Sequence, residues 1–423
     1  MKSKKQLHIV ALVMLIFFVI SFLTNILGPL VPDIIKSFSL SLGLAGFLPF
    51  SFFVAYGVMS IPAGILIEKY SEKFVLILAF ILAFIGAATF VFSPTYAIAL
   101  FSLFIIGLGM AMLQVVINPL LRASGGEDDF AFYSVLAQIF FGLASSLSPL
   151  LYSYLVKNLH TTSSNLLLDT LNKVTPVDLK WVSLYWIFAI VVLLMILVIW
   201  AIKFPKVELK DDERIGTLSN FKELLKNRYT ILYFFGTFAY VGTEQGIANW
   251  ISKFLQIYHG KNPETTGADA VSGFWFYMTI GCVLGLLLLK LFDSRKLLLV
   301  FVVGAALSLT AGLFGPANVA VIAFPMCGFF ASVMWSIVIS LGLNSVATNH
   351  GSLAGILCTG IVGGAVVPLI IGGLSDIIGL KAAMFIIYIT LGYLFSMGIW
   401  AKPLVNNAVS LRDLFKKGKK EAA

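Results

Sequence analysis

Residues 74–120 read FVLILAFILAFIGAATFVFSPTYAIALFSLFIIGLGMAMLQVVINPL. Two apolar runs, 74–93 and 96–120, meet at Ser93-Pro94-Thr95. An α-helix needs about 20 apolar residues to cross the hydrocarbon of a bilayer, and each run has that length. A barrel strand would alternate apolar and polar residues over about 10 positions, which these runs do not do. The stretch reads as two membrane-spanning helices joined by a tight polar turn.

The same pattern recurs on both sides. Spans are predicted at 8–31, 42–67, 74–93, 96–120, 130–155, 181–202, 229–257, 269–291, 296–314, 317–344, 352–373 and 381–401. The fold class is an all-α membrane protein with twelve transmembrane helices. Composition agrees: 59% of the 423 residues are hydrophobic, 12% are charged, and the mean hydropathy is +0.98. Soluble domains are nearer one half apolar and one quarter charged. The start MKSKKQLHIVALVMLIFFVISFL has the basic head of a signal peptide, but further spans follow with no small-residue cleavage site, so it reads as a retained first helix.

Basic residues set the topology. With the N-terminus inside, 22 of the 29 Lys and Arg fall in inside segments, which places both termini in the cytoplasm. This distribution also explains the net charge of +9 without nucleic acid, because the charges lie in short connections. The longest charged stretch, 203–228, reads as a cytoplasmic linker on the membrane surface. It divides an N-terminal six-helix half (1–202) from a C-terminal half (229–402), and residues 403–423 form a basic cytoplasmic tail.

The halves match at a shift of about 220 residues. Pro149 falls on Pro368, Gly64–Lys69 falls near Gly285–Lys290, and Asn25 falls on Glu244. Two halves in the same orientation make a parallel repeat, whose substrate site lies between them near the bilayer midplane.

Within the spans, Glu244 is the acidic residue placed nearest a helix centre. Such a carboxylate costs roughly 2.5 to 3.5 kcal/mol to insert, so it must face a cavity, find a partner or carry a proton. Gln114, Asn118, Gln138, Gln245, Asn249 and Asn25 are amides in apolar helices. Their donors and acceptors suit a polyhydroxylated ligand or helix–helix hydrogen bonds. Tyr240, Trp250 and Trp335 offer flat faces with one donor each, and Trp275 and Tyr56 are secondary pocket candidates. Trp181, Trp186, Trp200 and Trp400 read as interface anchors. Asp33 and Asp376, at span ends, read as exposed charges. Cys282, Cys327 and Cys358 suggest no disulfide framework, the four His form no metal motif, and no phosphate-binding loop is present to drive an ATP pump.

The stretch Gly64-Ile-Leu-Ile-Glu68-Lys69-Tyr-Ser-Glu72-Lys73 resembles the loop 2–3 signature of the major facilitator superfamily, with its last glycine and basic pair altered. Gly107-Leu-Gly-Met-Ala-Met-Leu-Gln114-Val-Val-Ile-Asn118-Pro119 resembles span 4 of the fucose:proton symporter family, in the form found in its glucose/galactose branch. Phe238–Trp250 resembles that branch's span 7, and Gly363–Pro368 also fits. The fucose transporters carry carboxylates in spans 1 and 4, where this chain has Gly28, with Asn25 nearby, and Gln114.

The resemblance implies a secondary active transporter that imports a small neutral sugar, a hexose, by alternating access. Glu244 would couple transport to a proton or sodium gradient, and the amides and aromatics would bind sugar. No cofactor or metal is expected. The chain would act as a monomer in the lipid of a bacterial inner membrane. The competing readings are a proton-coupled drug exporter, which would favour several accessible acids, and a sugar sensor that moves nothing. An intramembrane enzyme would need a nucleophile–base pair, and none is found.

Overall fold

The computed structural model describes residues 6–126, 130–161, 165–204, 218–345 and 350–402. The linker residues 205–217, the tail 403–423 and the side chains of Glu68 and Asn118 lie outside the described residues.

Twelve helical crossings are present. Span 1 is Leu7–Thr24 and Leu27–Phe38, span 2 Leu42–Lys69, span 3 Glu72–Phe92, span 4 Tyr96–Gly125, span 5 Phe130–Asn158 and span 6 Ser183–Ala201. Span 7 is Arg228–Ala248 and Ile251–His259, span 8 Ala268–Leu291, span 9 Ser294–Phe314 and span 10 Ala317–Ala331 and Met334–Leu343. Span 11 runs from His350–Thr359 through a tight turn at Gly360–Val362 to Gly363–Ile378, and span 12 is Leu380–Ala383 and Ile386–Trp400. Eleven of these are long and apolar enough to cross a membrane. Span 7 is the exception: its first segment, Arg228–Ala248, carries Arg228, Glu244 and Gln245 among its apolar residues, and Asn249-Trp250 interrupts it. The predicted linker helix appears at Leu218–Lys226. A short helix at Leu166–Val174, capped by the Asn165 side chain at the Leu168 N–H (2.8 Å), was not legible in the sequence.

The breaks correct the repeat. Span 1 breaks after Thr24 with Asn25 as its C-cap, and span 7 breaks after Ala248 with Asn249 as its C-cap. The second segments resume at Leu27 and Ile251. Both pairs are 224 residues apart, so the counterpart of Asn25 is Asn249, not Glu244. The residue 224 positions before Glu244 is Ile20. Loops of unequal length shift the offset along the chain, which is why one sequence shift misplaced this pair. A broken helix leaves carbonyls without intrahelical partners, and within a membrane these are tolerated only where protein encloses them. At this end Asn249 donates twice to the Gln245 carbonyl, from its backbone N–H at 3.1 Å and from Nδ2 at 2.9 Å.

The halves repeat their packing as well. A Cβ at Gly107 of span 4 would strike the Phe52 carbonyl of span 2, and a Cβ at Gly328 of span 10 would strike the Phe274 carbonyl of span 8. Only glycine lets these backbones approach so closely. In the N-terminal half, Lys73 Nζ opens span 3 and donates to the carbonyls of Trp200 (2.8 Å) and Ile202 (2.7 Å) at the end of span 6. In the C-terminal half, Arg295 opens span 9 and donates to the Ala401 carbonyl at 3.3 Å after span 12. A basic group on the last carbonyls of a helix is stabilising. Asp293 steadies Arg295 through a 2.8 Å ion pair, and that guanidinium holds the Asp293 carboxyl below the usual carboxylate range.

Candidate functional site

The halves meet at the face opposite the ends of the described chain. There the Asp376 carboxylate of span 11 accepts hydrogen bonds from the Leu42 and Gly43 N–H groups of span 2, each at 2.9 Å. Ser272 of span 8 donates to the Ser146 carbonyl of span 5 at 2.8 Å. Gly28 of span 1 lies against the Ala248 carbonyl of span 7. Toward the other face, polar residues are reachable by solvent. Gln138 near the start of span 5 and Ser336 and Ser340 late in span 10 are exposed. Gln114, Glu244 and Trp335 are part-exposed. The described contacts close the far face, while these polar side chains on the near side stay accessible.

Glu244 lies in span 7, just before its break. The Tyr240 hydroxyl donates to its Oε2, and Gln245 Nε2 donates to its Oε1 at 3.0 Å. Asn249 Nδ2 in turn donates to Gln245 Oε1 at 3.1 Å. A continuous polar chain thus runs from Tyr240 through Glu244 and Gln245 to the helix break. Tyr240, Gln245 and Asn249 are buried, while Glu244 keeps partial access. The Trp335 ring, just past the break in span 10, lies 5.8 Å from that of Tyr240 between centroids. Spans 7 and 10, both discontinuous, thereby bring an acid, two amides and two aromatic rings together. Broken helices build ion and substrate sites in other transporters for the same reason: they free polar groups at membrane depth.

The other sequence-predicted residues divide. Gln138 lies on the span 5 face that also carries Gly142 and Ser145, on the open side of the seal. Asn25 is buried and committed to protein: its Nδ2 donates to Ser145 Oγ at 2.9 Å and to Ser21 Oγ at 3.4 Å. Ser21 and Ser145 also share a short hydroxyl contact. Trp250 is 1% exposed, and its Nε1 donates to the Pro368 carbonyl of span 11 at 3.3 Å. In this conformation Trp250 packs against span 11 on the far side.

Asp33 also departs from the sequence expectation. It is not a free surface charge, because the fully buried Tyr152 of span 5 donates its hydroxyl to Asp33 Oδ2 at 2.6 Å. Asp376 is exposed, as expected, and its carboxylate also bridges the two halves. The serines Ser21 and Ser145 escaped notice because serine is common in apolar helices and carries no pattern of its own.

Residues 13–361 match the Major Facilitator Superfamily profile, and the chain belongs to that family. It is 30% identical over 395 residues to the glucose/galactose transporter of Brucella abortus biovar 1 (strain 9-941), covering 91% of this chain and 92% of that one. It is 26% identical over 396 residues to the L-fucose-proton symporter of Escherichia coli (strain K12), covering 89% of each. The crystal structure of FucP, a Major Facilitator Superfamily transporter in the outward conformation, matches 93% of this chain and 98% of its own, with a TM-score of 0.68 at 25% identity. The chain is thus a multi-pass membrane transporter and not an enzyme, and the family resemblance read from spans 4, 7 and 11 holds.

Proposed function

We propose that this protein imports a neutral hexose together with protons across a bacterial inner membrane, with both termini in the cytoplasm. The observation that carries the reading is Glu244, a part-exposed carboxylate in a broken helix, joined by hydrogen bonds to Tyr240 and Gln245. An acid at membrane depth marks an ion or substrate path by default. The names of the relatives supply the substrate class. Gln114, Asn118, Gln138 and Gln245 are the amides proposed to meet sugar hydroxyls, and Trp335 and Tyr240 the faces proposed to meet its C–H surface.

The neighbours of Glu244 favour a proton over sodium. A hard cation takes several oxygen ligands, whereas the groups that meet this carboxylate present hydrogens: the Tyr240 O–H and the Gln245 N–H. A proton needs one lone pair of the carboxylate and no such cage. The excess of Lys and Arg on one face supports the orientation. On it, the open side is cytoplasmic and this conformation is the one that releases sugar inward. Both halves and the path between them lie in one chain, so a monomer suffices.

The test is uptake of radiolabelled hexose by proteoliposomes, with proton and sodium gradients imposed separately. The proposal expects accumulation driven by the proton gradient and none from sodium alone. Failure to take up any hexose under either gradient would overturn it.

A further inference from the structure

Trp275 is 2% exposed, and its indole Nε1 has no hydrogen-bond partner among the described residues. Buried donors are nearly always paired, and leaving one unpaired is costly. The residue stands at a telling place. Ser272, Trp275 and Thr279 are spaced three and four apart and so share one face of span 8. Ser272 at one end of that face bonds to the Ser146 carbonyl of span 5, and Thr279 at the other end lies against Gly142 of the same span. The indole between them therefore belongs to the seal between the halves, beside the span 5 turn that carries Ser145. Ser145 holds Asn25 of span 1. Val271, one turn along span 8, packs against Gly28 of span 1, one turn beyond Asn25. Phe274 covers the indole edge-on with ring centroids 5.1 Å apart.

An alternating-access cycle must part this seal. When it parts, the unpaired N–H is uncovered to whatever enters from the far face, at the level of the Asn25 network. Asn25 has both donor hydrogens engaged by serines, but the indole has a donor to give. A sugar hydroxyl is an acceptor of the right kind.

We propose that Trp275 is a specificity-determining residue whose indole N–H donates to one hydroxyl of the hexose when the far face opens. This rests on the hexose reading above. In the sealed conformation the same N–H is left unpaired, so the contact favours the far-face-open, sugar-bound state and is given up when the seal closes.

The experiment compares wild type with Trp275→Phe in proteoliposomes, measuring KM and the maximal rate for D-glucose and for its monodeoxy analogues. The expected result is a rise in KM for glucose of about tenfold, the scale of one neutral hydrogen bond. For the one analogue that lacks the contacted hydroxyl, wild type and variant should share the same KM. A KM rise that is uniform across the analogues, or no rise at all, overturns the assignment. If Trp275→Phe does not fold, the comparison uses Trp275→His, whose ring keeps an N–H. It should retain discrimination among the analogues, and uniform loss would again overturn the proposal. Wild-type protein that transports no hexose would sink the hexose reading and this proposal with it, whereas wild-type transport with uniform variant effects would sink this proposal alone.

Discussion

The Asp376 carboxylate and the Gly43 N–H lie 2.9 Å apart across the two halves of the protein, and the neighbouring Leu42 N–H makes the same contact with the other carboxylate oxygen. A carboxylate on the first turn of a helix satisfies orphan donors and meets the positive end of the helix dipole. The pair latches span 11 to span 2 at the far face. Asp376→Ala should weaken the latch by about 1–2 kcal/mol and shift the conformational ratio about 5- to 30-fold toward a far-face-open state. Spin labels at the far ends of spans 2 and 11 would report it as a new long-distance population. An unchanged distance distribution would show that the seal does not depend on this contact.

Ser145 tests whether Asn25 is structural. Ser145→Ala removes the acceptor for Asn25 Nδ2 and leaves a buried amide donor short of a partner, at a cost of about 1–3 kcal/mol. Melting of the purified protein in detergent should fall, while KM for sugar stays within about twofold, since about 0.4 kcal/mol is the most such a change represents. A large rise in KM with unchanged melting would instead make Asn25 a ligand.

The two tryptophans near the broken helices should behave differently. Trp335 is part-exposed beside Tyr240, and Trp335→Ala should raise KM by about 3- to 10-fold through lost ring contact. Trp250→Phe should leave KM alone and lower thermal stability by about 1 kcal/mol, because the Pro368 carbonyl loses its donor. Reversed outcomes would exchange their roles.

The crossings were legible because a bilayer imposes one length and one solvent on every span, so Phe74 to Leu120 could be read without any neighbour. The placement of Glu244 beside Gln245 and Asn249 was legible too, since residues one and five apart in one helix need no tertiary knowledge. What escaped depends on the other half of the molecule. Whether Asp33 and Asp376 are free or bonded is decided by Tyr152 and by the start of span 2, which are 119 and about 330 residues away. The helix breaks escaped because Asn25 and Asn249 look like any other amide in an apolar run. Only the interrupted backbone shows that they are counterparts.

Glu244 is proposed to couple transport to the gradient, and comparing exchange with accumulation separates that role from sugar binding. Proteoliposomes containing wild type or Glu244→Gln are loaded with unlabelled hexose, and labelled hexose is followed both in exchange and under an imposed proton gradient. Glu244→Gln should exchange sugar at a rate near wild type but lose accumulation against a concentration gradient. Accumulation by Glu244→Gln equal to wild type would contradict it.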